Sequence, residues 1–211
     1  MSDPAPQAFS DRDLGDGCLF RIGQLPAPLL WDGETFDAVW AVHPDEKHLI
    51  MMHGREVETP RWQQAYGADY HYTGRVNKAL PVPPLLAPLL AWVRSDISPR
   101  LNGILLNWYD GPDHYIGPHH DSVKDMVHGE PIVTISFGET RVFRLDRGKG
   151  SDAERRDFTA SPGTILVMSY DTNRIWKHSV PKSKRYLGRR ISVTFRAFGS
   201  ATSNDTALRS S

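Results

Sequence analysis

Apolar positions along the chain fall into two textures that change near residue 100. Before that point the apolar pieces are short: 18–22 and 26–31, then 33–40, which reads as a short helix. Ile50, Met51 and Met52, followed by His53, Gly54 and Arg55, read as strand, turn and strand. Tyr66, Tyr70 and Tyr72 alternate with polar residues as on a strand. The clearest helix is predicted over 83–97, where Leu85, Leu86, Leu89, Leu90, Val93 and Ile97 recur at three- and four-residue spacings. Proline is tolerated near its start, and the Leu face suits core packing.

After residue 100 the period drops to two. Short strands are predicted at 103–109, 132–137, 141–145, 163–170 and 190–198, separated by Gly, Pro and Asp. Such spacing argues for an all-β sandwich or jelly roll. Residues 146–157 are so charged that they read as a loop, residues 1–15 as a loose tail, and residues beyond 199 as a polar tail. The layout predicts one domain over 16–199, with a β-core from about 100 and an irregular N-terminal third supporting it.

Composition narrows the function classes. The 211 residues suit one domain with a sizeable core. The 25 basic and 25 acidic residues balance, so composition by itself points to neither nucleic acid nor membrane. The single Cys18 leaves no intramolecular disulfide and no thiolate zinc cluster, and fits a reducing compartment. No apolar run approaches the ~20 residues of a membrane span, and the N-terminus has no signal-peptide pattern. The expectation is a soluble, cytoplasmic monomer that does not engage a membrane.

Candidate chemistry centres on residues 107–121. His119 and Asp121 are two apart, and on a strand they would project from one face. Joined by a distant His, they would make the 2-His-1-carboxylate set of non-haem Fe(II) oxygenases. His43/Asp45 and His128/Glu130 share the spacing. However, Pro44 removes a ladder donor, and His128 sits in a loop marked by Gly and Pro. His120 should point the other way. His178 follows the apolar 164–168 run and is the candidate third ligand, although by itself a His there reads first as structural.

On the last strand Arg190, Ser192, Thr194 and Arg196 share one face, with Ile191, Val193 and Phe195 on the other. Two Arg forks facing one way suit the two ends of a small dicarboxylate, or else form a solvated face. Asn107 and Tyr109 also share a face, and suit either a polar ligand or hydrogen bonding at the core edge.

In order, these pieces resemble the AlkB family of Fe(II)/2-oxoglutarate dioxygenases over about residues 60–198. The residues that carry the resemblance begin with Pro60-Arg61, Tyr70-x-Tyr72, Asn107-x-Tyr109-x-Gly111 and His119-x-Asp121. Ser136-Phe137-Gly138, Arg141-x-Phe143, Trp176-x-His178 and the Arg190/Arg196 pair follow, with Thr194-Phe195-Arg196 closing as in the nucleic-acid-repair branch. The resemblance implies a double-stranded β-helix, mainly β in an α+β class, with a substrate lid at about 45–80. It implies Fe(II) on His119, Asp121 and His178. It also implies 2-oxoglutarate as cosubstrate, with Arg190, Asn107, Tyr109, Ser192, Thr194 and Arg196 around it. O2 would be consumed and N-alkyl groups on DNA, before RNA, removed as formaldehyde; hydroxylation of a metabolite or protein side chain is the alternative. Arg61, Tyr70, Tyr72, Met52 and His53 become substrate contacts, with Lys78, Lys124 and Lys177 as further phosphate-contact candidates. The pattern departs after Asp121, where Ser122 and Val123 replace acidic residues that help repair members recognise a cationic base. Ser192 likewise replaces a common Asn.

Overall fold

The computed structural model describes residues 9–52, 54–72 and 75–199. Its elements run β1 (Ser10–Asp13), β2 (Leu19–Gln24), α1 (Gly33–Trp40), β3 (Leu49–Met52), β4 (Arg55–Glu58), β5 (Trp62–Tyr66), β6 (Tyr70–Tyr72) and β7 (Arg75–Asn77). There follow α2 (Ala87–Asp96), β8 (Gly103–Asp110), β9 (Ile116–His119), β10 (Ile132–Gly138), β11 (Arg141–Arg147), β12 (Glu154–Ala160) and β13 (Thr164–Met168). The chain closes with α3 (Tyr170–Ile175), β14 (Lys177–Val180) and β15 (Arg189–Arg196).

Two antiparallel sheets face one another. The larger has the order β1-β2-β13-β10-β15-β8-β5, and the smaller β12-β11-β14-β9. Two hairpins, β3-β4 and β6-β7, stand apart from them. This is the predicted jelly roll.

The period-two pattern explains how the larger sheet is used. Leu106, Trp108, Val133, Ile135, Val193 and Phe195 point outward, into a cluster closed by Val39 of α1 and Leu89 and Val93 of α2. Alternate positions point inward, between the sheets. Both faces of the central strands β8, β10, β13 and β15 are therefore buried, which is why they carry few charges except the inward arginines. Asp32 starts α1, its carboxylate accepting from the Thr35 N–H at 2.8 Å.

Four local expectations change. The helix predicted over 83–97 begins as a 3-10 turn, Pro84–Leu86, and becomes α-helical only at Ala87; Pro88 has no N–H for the i−4 bond. The charged 146–157 stretch is loop only over 148–153; its two ends belong to β11 and β12. Arg144 pairs with Asp157, Arg155 with Asp146 and Arg147 with Glu154, and because β12 is an exposed edge it shows no apolar alternation. Ser10–Asp13, within the stretch read as a loose tail, pairs with β2, and Asp11 meets Arg21 at 3.2 Å. The strand expected to run to residue 170 stops at Met168, where Ser169 caps α3 by accepting from the Thr172 N–H.

Candidate active site

His119 and His178 come from sequence-distant strands that pair directly, with His178 opposite His119 in the β9–β14 register. Their rings lie 4.2 Å apart between centroids. Asp121 sits just beyond the end of β9, so the shared-strand expectation fails by two residues, yet its side chain still arrives at the same point. Its Oδ1 is 3.6 Å from His119 Nε2 and 3.8 Å from His178 Nε2. One donor atom from each residue lies within 4.8 Å of the others, the one group of this kind among the described residues.

The three groups differ in their surroundings. His119 Nδ1 faces the Gly117 carbonyl at 2.8 Å, so Nδ1 is the donor there, and Nε2 is the ring nitrogen turned toward Asp121. Burial pushes His178 down to about 3, which makes it a neutral imidazole at physiological pH. Burial would raise the Asp121 carboxyl, but the Arg196 guanidinium more than offsets this and holds it well below the usual range. Arg196 grips Asp121 Oδ2 through Nε at 3.0 Å and Nη2 at 2.5 Å. The Tyr70 hydroxyl donates to Oδ1 at 3.1 Å, and its ring lies 4.6 Å from the Arg196 guanidinium carbon.

A second polar focus lies further along β15. Arg190 is 0% exposed and donates from Nη2 to Ser136 Oγ at 2.8 Å. Its Nε and Nη1 are buried with no partner, which is costly unless a ligand supplies acceptors. Two guanidiniums lie over the Tyr109 ring, Arg190 at 4.9 Å and Arg141 at 5.3 Å from its centre. Arg61 Nε donates to Asn107 Oδ1 at 2.7 Å. That commits the amide oxygen and leaves Nδ2 as the group Asn107 can offer a ligand.

All nine residues expected at the metal and cosubstrate positions line one cavity: His119, Asp121, His178, Asn107, Tyr109, Arg190, Ser192, Thr194 and Arg196. Arg61 and Tyr70 also line it. Arg61, expected to contact substrate, is buried and bonded to Asn107 and Gln63. His53 lies outside the described residues, as do the side chains of Met52 and Tyr72. Lys78 pairs with Asp69, whereas Lys124 and Lys177 are exposed. The rival His-x-acid pairs are elsewhere: His43 stacks on Trp62, and His128 packs against Tyr170.

Sequence reasoning missed two residues beside the cavity. Arg141, matched only as part of a motif, reaches the carbonyls of His114, Gly111 and Gly188. Asn173 received no reading at all, because the apolar run before it hid α3.

Comparison with known proteins agrees with this geometry. Residues 40–196 match the 2OG-Fe(II) oxygenase superfamily. The chain is 33% identical over 172 residues to the DNA oxidative demethylase ALKBH2 of Bos taurus, covering 77% of this chain and 62% of that protein. It is likewise 33% identical over 213 residues to the protein of that name in Arabidopsis thaliana, covering 87% and 68%. To the alpha-ketoglutarate-dependent dioxygenase alkB homolog 3 of Rattus norvegicus it is 30% identical over 148 residues, covering 65% and 50%. Among solved structures, OsALKBH1 superposes with a TM-score of 0.52 at 16% identity, over 89% of this chain and 99% of that one, a likeness of fold.

Fold and sequence together define a jelly-roll member of the 2OG-Fe(II) oxygenase superfamily. Within it, the chain belongs to the AlkB family, on the branch of ALKBH2 and alkB homolog 3. It spans 60% to 65% of the length of the mammalian ALKBH2 proteins it matches. The family implies Fe(II) and 2-oxoglutarate, and the donors present fit both. Two imidazoles and a carboxylate suit Fe(II), and the unpartnered N–H groups of Arg190 suit a carboxylate.

Proposed function

We propose that this protein is an Fe(II)/2-oxoglutarate-dependent dioxygenase that removes N-alkyl groups from nucleic-acid bases, DNA before RNA. The observation that carries the reading is one cavity holding both the His119–Asp121–His178 donor group and a buried Arg190 with two unsatisfied N–H groups. In this reading His119 and His178 hold the iron through Nε2 and Asp121 through its carboxylate. Arg190 takes the distal carboxylate of 2-oxoglutarate, with Asn107 Nδ2 and the Tyr109 hydroxyl as further donors. Arg196 keeps Asp121 ionised and oriented, and Tyr70, which lines the same cavity, steadies the carboxylate through its hydroxyl.

Iron, 2-oxoglutarate and O2 together supply the oxidation of an N-methyl group to N-hydroxymethyl, with succinate and CO2 released. The N-hydroxymethyl group then breaks its C–N bond, the proton passes to the base nitrogen, and formaldehyde leaves.

The test is succinate and formaldehyde release with oligonucleotides carrying methylated bases, single- and double-stranded, DNA and RNA. Substrate-dependent formaldehyde matched to succinate is expected, greatest on DNA. Turnover that ignores every oligonucleotide but responds to small metabolites or peptides would replace this reading with a hydroxylase of those substrates.

A further inference from the structure

Of the three residues that make up the donor group, Asp121 has the least support from the sheet. His119 ends β9, and the β9–β14 ladder registers His119 against His178 without reaching Asp121. Its backbone is nevertheless held. The Asp121 N–H donates to Asn173 Oδ1 at 2.9 Å, and Asn173 Nδ2 donates to the Asp121 carbonyl at 3.1 Å. His120 Nδ1 meets the Asn173 carbonyl at 2.5 Å. A carboxamide has the same donor and acceptor pair as a peptide group, so Asn173 adds one rung to a ladder that has run out of strand.

The clasp is built rather than incidental. Asn173 is 1% exposed. It lies on α3, which Ser169 caps and which Thr172 ties to the Leu19 carbonyl at 2.9 Å. The side chain therefore projects from a helix anchored at its start to β2. Arg196 and Tyr70 hold the Asp121 carboxylate from the other side.

We infer that Asn173 is a positioning residue for the metal site. By fixing the Asp121 backbone it sets the direction of the carboxylate, so that Oδ1 faces both imidazole Nε2 atoms. Without it Arg196, which already has two bonds to Oδ2, would be free to draw the carboxylate away. The inference rests on reading His119, Asp121 and His178 as the metal ligands.

Metal-free protein allows a test that does not depend on turnover. Co(II) binding is measured by titration calorimetry, and exchange of the Asp121 amide hydrogen by NMR, in wild type, Asn173→Ala and Asn173→Asp. Asn173→Ala is expected to weaken Co(II) binding about 10- to 100-fold, as loss of groups supporting metal ligands commonly does. It should also speed exchange at Asp121 while amides of β10 and β15 keep their protection. At saturating iron its KM for 2-oxoglutarate should stay at the wild-type value. Asn173→Asp retains the acceptor for the Asp121 N–H but sets a carboxylate against the Asp121 carbonyl, so an intermediate loss is expected. Asn173→Asp also carries the test if the Ala variant does not fold. Wild-type Co(II) affinity in either variant would overturn the inference, and so would loss of protection spread evenly over the sheet. Wild-type protein that binds no Co(II) would overturn the metal-site reading itself, and this inference with it.

Discussion

At the scale of single residues, the informative groups are buried polar atoms whose bonds do not add up within the chain. Arg190 has two such N–H groups in a cavity. Charge-assisted hydrogen bonds contribute about 1.5–3 kcal/mol each, so Arg190→Ala should raise the KM for 2-oxoglutarate by one to two orders of magnitude while leaving Co(II) affinity unchanged. Steady-state kinetics with cosubstrate varied and metal titration of the apo-protein check this pair; equal loss of both would mean Arg190 supports the metal site instead. His114 makes a different kind of prediction. Its Nδ1 accepts from the Asp110 N–H at 3.0 Å, and burial, with help from Lys47, lowers it below 6.5. The unfolded chain therefore binds a proton near 6.5 that the folded chain refuses, so stability is complete above that pH and lost as pH falls through it. His178 and His48 act in the same direction. Urea midpoints of metal-free protein should fall between about pH 7.5 and 5.5, with a shallower fall in His114→Asn. Identical slopes would rule out this contribution from His114.

At the scale of elements, β15 shows how far alternation can be read. Arg190, Ser192, Thr194 and Arg196 were legible as one face and Ile191, Val193 and Phe195 as the other, because side chains on a strand alternate whatever its neighbours are. Alternation failed on β12, whose exposed residues follow salt-bridge partners rather than burial, and at α3, whose six residues are too few to declare a helical period. The β10–β11 turn offers a test of element geometry. Gly138 has φ +78°, and a Cβ there would meet the Arg189 carbonyl and the Phe36 ring. Gly138→Ala should cost more than the ~1–2 kcal/mol of a left-handed residue alone, and should raise the 2-oxoglutarate requirement because Arg189 adjoins Arg190. Gly129→Ala is the control, since φ is +81° there but nothing lies within 4 Å. Chemical denaturation should separate the two, and equal losses would mean the packing clash is relieved by small shifts.

At the scale of the whole molecule, the proposed function puts both cofactors in the cavity between the two sheets, so their binding should stabilise the fold as a unit. A ligand at 100 times its dissociation constant adds about 2.7 kcal/mol. Co(II) and then 2-oxoglutarate should each raise Tm in wild type. Arg190→Ala should keep the metal increment and lose most of the cosubstrate increment. A 2-oxoglutarate shift that survives in that variant would place the dicarboxylate elsewhere.

The sequence by itself determined that Asn107 and Tyr109 share one face of their strand and that Arg190, Ser192, Thr194 and Arg196 share one face of theirs, because period-two geometry is a local property of the backbone. It also carried His119 and Asp121 as a pair, and enough ordered motifs to reveal the family. Only the tertiary structure decided which strands meet. The pairing of β14 with β9 turned His178 from an isolated histidine into a neighbour of His119. Contacts across 75 and 52 residues committed Arg196 to the carboxylate of Asp121 and Asn173 to its backbone. Those partners could not be read from spacing, since a buried polar group specifies that it needs a partner but not where in the chain that partner lies.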